Sequence, residues 1–425
     1  MPTPTHVEAA ASRSRRTRLF LGLVAFVAVA AVLHLLVQVV VYPSAIYWLS
    51  YYVPTYEFGF VRRGLGGELV RLLPAGWYFP ATYTMMWAPV VAWFVALGVL
   101  IRHVLGGRAP SQRRVILAIT IPVLPFAMSY ALYSPRPELW AMTALVAFAI
   151  HLTRAGTDRR VLIASTVYGV LIAVLAFAHE GIPLQLGLGA TVAIVALAGW
   201  MTPRRQALTA MLAVGPGLVS IVLIAVLGGS RETRPTGPLL CRSLPHRMLE
   251  NPYGASNTPA EHIAYLLGNR ESLADYHDWM CRVAAPMVDS TVGDGLSLVA
   301  SFGFGPLFAS TLLGLVYLAV CLWAVQAFSG TPVLDFLREV RRRPLLPLTG
   351  LCLVVPLFVT GVDWTRWWVL ITFDVVLPYV LYAVGRPAID EPVPARTVRL
   401  FVVTVVVLAI LPTGAALHVG GPNFQ

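Results

Sequence analysis

The stretch LFLGLVAFVAVAAVLHLLVQVVV (Leu19–Val41) decides the fold class. It is Leu, Val and Ala almost throughout, and it follows directly on Arg13, Arg15, Arg16 and Arg18. A helix needs about 20 such residues to cross roughly 30 Å of hydrocarbon. The run therefore predicts a membrane-spanning helix, kept as an uncleaved anchor with its arginines on the cytoplasmic side. His34, inside the run, reads as a packing residue with satisfied ring nitrogens.

The pattern recurs near 81–101, 115–133, 139–153, 161–178, 183–201, 207–228, 298–328, 345–361, 367–385 and 400–417. The stretch 139–153 is short, and 298–328 is long enough for a tilted helix with an interfacial extension. The expectation is an all-α polytopic protein of about eleven spans, with one transmembrane domain over 1–425. Composition agrees: 57% of residues are hydrophobic and 12% charged, too few charges to cover a soluble chain of this length.

Orientation is read from arginine, because the chain has no lysine and all 31 basic residues are Arg. On an alternating topology twenty of them fall on the N-terminal side, including Arg102, Arg113, Arg114, Arg154, Arg160, Arg205, Arg338 and Arg386. Of the other eleven, six lie in one long loop, so the short loops stand at twenty against five. Arginine-rich short loops stay inside, which puts the N-terminus in the cytoplasm and the C-terminus outside, in a multi-pass plasma-membrane protein.

The missing lysine also excludes chemistry. A Walker A phosphate loop and a Schiff-base enzyme both require that residue. The net charge of +11 implies no nucleic-acid partner, because inner-face arginines beside anionic lipid account for it. Usage rich in Arg, Ala, Val and Leu is that of a high-GC bacterium.

Two segments on the outer side are long. The first, 42–80, opens with aromatic WLSYYVPTYEF (Trp48–Phe58), in the manner of an interfacial belt. Its Leu65, Leu69, Leu72 and Leu73 suit one face of an interfacial helix. The second, 229–297, holds Cys241 and Cys281, and a disulfide closing it would contribute roughly 3–4 kcal/mol. Its Asp275, His277, Asp278 and Trp279 resemble a sugar-stacking patch. No Cys/His spacing resembles a zinc site, and no metal ligand is assigned.

Four polar motifs fall on the outer side: YEFGFVRRGLGGE (Tyr56–Glu68), SPRPE (Ser134–Glu138), HEG (His179–Gly181) and DWTRWW (Asp363–Trp368). Charge at membrane depth is costly, so a one-sided collection points to a site. Glu57 and Asp363 are the candidate general bases, and Glu57 could instead hold a divalent cation for a pyrophosphate. Arg62, Arg63, Arg136 and Arg366 offer fork-shaped donors for phosphate, and Gly64, Gly66 and Gly67 let backbone N–H groups approach it. His179, Glu180, Trp364, Trp367 and Asp374 are read as substrate-binding. Asp374 lies eleven residues after Asp363, nearly three helical turns, and so on the same face.

This layout resembles the GT-C type of integral-membrane glycosyltransferase, and more loosely the O-antigen polymerases. The resemblance covers most of the chain as architecture. It rests on an acidic residue in the first outer loop, Glu57, followed by interfacial helices. GT-C loops usually carry an adjacent acidic pair, and Glu57 has no acidic neighbour. Polymerase-type proteins use outer-face arginines, a role open to Arg62, Arg63, Arg136 and Arg366. The resemblance implies a polyprenyl-phosphate-linked sugar as donor, membrane lipid around the site, and a cell-envelope glycan as acceptor. A flippase for such a precursor and a non-catalytic scaffold of an envelope-synthesis complex are the alternative readings.

Overall fold

Helix breakers in the sequence set most of the element boundaries in the computed structural model. It describes residues 6–107, 109–228, 235–252 and 273–413, with positions 264 and 267, and side chains from residue 15 onward. Each of the eleven stretches expected to span contains helix among the described residues. Helix α1 is His6–Leu36, running on into a π-helical turn at Val37–Val41. A short helix α2, Gly64–Arg71, precedes α3, Tyr78–Leu105. Then come α4 (Gln112–Thr120), α5 (Met128–Tyr133), α6 (Glu138–Arg154), α7 (Asp158–Ala176), α8 (Ile182–Leu197) and α9 (Pro203–Gly228). The C-terminal part holds α10 (Val292–Phe302), α11 (Phe304–Ser329), α12 (Val333–Arg341), α13 (Leu345–Thr360), α14 (Trp364–Val384) and α15 (Ala395–Ile410).

Among the described residues, seven helical stretches are long and apolar enough to cross a membrane, and an eighth arises if α12 and α13, bent by 96°, count as one. The expected eleven is therefore a count of helices rather than of full-length spans. Helices α6, α8 and α15 have 17, 16 and 16 residues, about 24–26 Å at 1.5 Å per residue. The expected 298–328 span is two helices, because Gly303 at φ +74° breaks it. The last expected span, 400–417, is described only as far as residue 413, and the C-terminus lies outside the described residues.

The core is built around α8 and α14, which are buried on nearly all sides. Small residues make this close packing feasible in a lipid setting, where association rests on packing rather than on water exclusion. A Cβ on Gly350 of α13 would meet Leu188 Cα of α8 at 2.7 Å. A Cβ on Gly169 of α7 would run into the Leu212 backbone carbonyl of α9. Outward faces are apolar, as Leu21, Val29 and Val32 on α1 and Met211, Val219 and Val226 on α9 illustrate. His34 is satisfied as expected, 3.0 Å from Tyr133 Oη and 2.9 Å from the Ala409 carbonyl.

The bundle has two unlike ends. At one, α3 finishes beside His103, α6 at Arg154 and α14 at Val384. Arg114 there pairs with Asp390 at 2.9 Å and donates to the Val384 carbonyl, and Arg154 donates to His103 at 3.1 Å. Over the other end lies a cap formed by the described part of the 229–297 segment. A two-stranded antiparallel ladder, β1 (Met248–Glu250) with β2 (Leu273–Asp275), organises it, and a Cys241–Cys281 disulfide ties it across. The ladder was not foreseen in the sequence. Tyr276, Trp279 and Met280 bury themselves against Trp48, Leu49 and Tyr52 of the first segment.

Replacing Gly169 by Leu should force α7 and α9 apart and cost roughly 1–3 kcal/mol. Thermal unfolding in detergent should show the loss, while Gly22→Leu, with open space around its Cβ, should leave the midpoint in place. Equal midpoints for the two variants would refute this account of the helix contact.

Candidate functional site

Each of the four motifs sits where a helix starts or stops. In Ser134–Glu138, Pro135 and Pro137 disfavour helix in the residues before them, ending α5 and launching α6 with Glu138 in its first turn. That position suits a carboxylate, since helix N-termini are electropositive. Gly361 ends α13 and Asp363 stands at the N-terminus of α14. His179 and Glu180 occupy the short link between α7 and α8, where Pro183 falls in the first turn. Arg63 precedes α2 at φ +61°, the one non-glycine in the left-handed region among the described residues. Behind it Gly67 is indispensable, since a Cβ there would collide with the Pro54 carbonyl.

Folding brings these helix ends into one constellation. Arg366 pairs with Glu138 and, at 2.9 Å, with Asp363. Asp363 also receives Arg136 at 3.1 Å. Arg63 grips Glu180 with two hydrogen bonds of 2.7 and 2.9 Å, and Arg62 lies 3.7 Å from the same carboxylate. Tyr51 joins the two groups. Its ring faces the Arg136 guanidinium at 5.6 Å and that of Arg63 at 5.9 Å, and His179 stacks on it at 5.8 Å. Trp48 and Tyr47 complete the wall around Arg136, at 4.9 and 5.8 Å. A cleft of about 60 Å³ opens beside Tyr51, Arg62, Arg63 and Met287.

Electrostatics follow from this packing. Burial raises the Glu180 carboxyl, but the Arg63 guanidinium outweighs it and holds the group well below the usual carboxylate range. Asp363 is likewise raised by burial and pulled down further by Arg366 and Arg136. Burial pushes His179 down to about 4, helped by Arg63, so its imidazole is neutral. The Gly181 N–H donates to its Nδ1 at 3.2 Å, which leaves the proton on Nε2. Several buried polar atoms here have no protein partner: Glu138 Oε2, Arg136 Nε, Ser134 Oγ and both amide atoms of Gln185. Buried polar groups are nearly always satisfied, so orphans on the residues of this constellation and next to it are places for a ligand or water.

Seven of the residues singled out from sequence thus come together: Arg62, Arg63, Arg136, His179, Glu180, Asp363 and Arg366. Glu57 does not join them. It is exposed on the turn before Gly59, while its neighbour Glu68 receives the Tyr56 N–H at 3.0 Å and pairs with Arg71. Asp374 is also apart, eight residues down α14, about 12 Å along the axis. It is fully buried against Gly189 and Leu145, and neither of its oxygens has a partner. Trp364 has its indole N–H donating to the Phe358 and Gly361 carbonyls at 3.0 Å. Trp367 lies 5.9 Å from the Arg366 guanidinium with its indole N–H unpartnered. Sequence reading missed Tyr47, Trp48 and Tyr51 as site walls. Their aromatic density was the signal, read there as a belt. Glu138, within the Ser134–Glu138 motif, was given no role of its own. Each carboxylate of the constellation is held by arginine, so a divalent cation would have to displace a guanidinium. Among the described residues, the one group of three or more metal-type ligands lies in the cap instead.

A family profile described as "Uncharacterised membrane protein Rv1490" matches residues 20–409. The chain belongs to the Rv1490 family of membrane proteins. The "Uncharacterized protein Rv1490" of Mycobacterium tuberculosis and the "Uncharacterized protein Mb1527" of Mycobacterium bovis are each 45% identical to it over 406 residues. Those alignments take in 96% of this chain and 92% of each relative. No solved structure matches. The Rv1490 match includes all four motifs, the cap and both disulfide cysteines.

The neutral, buried His179 has a consequence for acid stability. The unfolded chain takes up a proton near 6.5 that the native state refuses until about 4, so stability holds above 6.5 and falls as pH drops towards 4. Glu180 and Asp363 add their loss only at lower pH, because their native affinities for protons are depressed. Melting curves between pH 7 and 4 should show this slope, and His179→Gln should flatten it. A wild-type midpoint constant over that range would contradict the buried neutral imidazole.

Proposed function

We propose that this protein is a membrane glycosyltransferase that takes a sugar from a polyprenyl-phosphate carrier on the extracytoplasmic face and passes it to a cell-envelope glycan. The observation that supports it most is the gathering of four arginines, three carboxylates and an aromatic wall at one end of the helix bundle, with orphaned polar atoms between them. Arginine forks suit a departing phosphate, aromatic faces suit sugar rings, and a carboxylate can deprotonate an acceptor hydroxyl. The GT-C resemblance of the layout points the same way.

Roles follow from position. Arg62 and Arg63 border the cleft and bind the carrier phosphate, and Arg136 and Arg366 neutralise charge that develops on it. Asp363 is the base. Its side chain is 38% exposed, against none for Glu138, so an acceptor hydroxyl can reach it. Glu57, outside the constellation, has no part in this reading.

A flippase for the same lipid-linked precursor is the second reading, favoured by Asp374. A carboxylate without a partner in the middle of a buried helix is the kind of group that proton-coupled carriers use.

The test is mass spectrometry of polyprenyl-phosphate-linked sugars in cells depleted of the protein, with rescue by wild type, Asp363→Asn or Asp374→Asn. One lipid-linked sugar should accumulate, wild type and Asp374→Asn should clear it, and Asp363→Asn should slow clearance by roughly 100-fold or more. Melting curves of the variants separate lost chemistry from lost folding. Rescue by Asp363→Asn would remove the base assignment, and rescue failing only with Asp374→Asn would favour the flippase. An unchanged lipid-linked pool would overturn both readings.

A further inference from the structure

A second polar cluster stands in the cap, away from the arginines. His246 comes just before β1, Asp275 closes β2, and His277 and Asp278 lie in the short helix Tyr276–Trp279 that follows. The strand ladder places these two segments side by side, pairing Met248 with Asp275, and the Tyr276 N–H donates to the Arg247 carbonyl at 2.8 Å.

The side chains converge. His246 Nδ1 is 3.1 Å from Asp275 Oδ1, and His277 Nδ1 is 2.9 Å from Asp278 Oδ1. The two imidazoles stack with centroids 4.1 Å apart. One ligand atom from each of the four residues lies within 4.8 Å of all the others. The other nitrogen of His277, Nε2, is turned towards Cys281 of the disulfide, 3.8 Å from its sulfur. Arg247, the nearest cation in sequence, is directed to the Phe79 ring at 4.7 Å.

We propose that His246, Asp275, His277 and Asp278 bind one divalent ion of the zinc type. Two imidazole nitrogens and two carboxylate oxygens form a borderline donor set. Such a set prefers zinc to calcium or magnesium, which take oxygen ligands almost alone. His246 and Asp278 face solvent, so a proton or water leaves easily as the metal enters. The ligands come from the segment that leads into β1 and from the end of β2 and the helix after it, and the ion would fasten one to the other. From there the cap chain continues through Trp279 and Met280 to Met287, whose carbonyl accepts a hydrogen bond from Arg62. Metal in the cap would therefore steady the segment that borders the cleft. The inference does not depend on the proposed transferase activity.

The experiment uses full-length protein in detergent, purified without a histidine tag, stripped with chelator and titrated with zinc chloride by calorimetry. One zinc per chain is expected, with a rise in melting temperature, and a large excess of calcium or magnesium should not displace it. His246→Ala with His277→Ala should weaken binding by roughly 100-fold, at about 10-fold or more for each ligand lost. Asp278→Asn, at an exposed position, supplies a variant expected to fold normally and to bind about 10-fold more weakly. Absence of stoichiometric zinc binding in the wild type, or unchanged affinity in a folded variant, would overturn the proposal.

Discussion

Asp363, clamped between Arg136 and Arg366, is the interaction on which the architecture of one end of the protein depends. Arg366 reaches on to Glu138, so the starts of α6 and α14 and the turn before α6 are held by a single chain of opposite charges. Removing Arg366 would leave the fully buried Glu138 without its ion-pair partner, at a cost of about 3–5 kcal/mol. Arg63 and Glu180 do the same for the α7–α8 link and the turn that leads into α2. Few charges are available in a chain that is 12% charged, and those at this end are concentrated on helix termini rather than spread over the surface.

This arrangement explains why the site could be read in part from sequence. Helix termini in a membrane bundle meet at one level, so motifs at alternate loops share one side of the bundle and can come together there. Arg62, Arg63, Arg136, His179, Glu180, Asp363 and Arg366 were legible as a one-sided group for that reason. Glu57 lies apart from the constellation because loop membership does not say which way a turn faces, and it is exposed just before Gly59 at φ +112°. Asp374 lies apart because sharing a helical face with Asp363 says nothing of depth. Eight residues of rise carry it from the arginines to a place between α14 and α8.

Fold class was legible because apolar runs of span length have few alternatives. The exceptions have local causes. Gly303 divides what composition shows as one run, and α12 meets α13 at a sharp bend across Arg342–Pro344. The short helix α8 is feasible because its neighbours surround it, so it needs no contact with lipid along its length. The β ladder of the cap escaped notice because strands of three residues carry too little periodicity to read. Tyr47, Trp48 and Tyr51 show a further ambiguity: an aromatic belt and an aromatic binding wall have the same composition, and only the position of Arg136 separates them.

Every cation in the constellation is a guanidinium, because the chain has no lysine. Guanidinium stays protonated throughout the range in which proteins survive. Short of the alkaline range in which tyrosine hydroxyls ionise, the groups there that can change charge are the carboxylates and His179, and each changes by gaining a proton. Over that range the site is a one-way electrostatic device: acidification makes it more positive, and moving from neutral to mildly basic conditions leaves its grip on anions as it was.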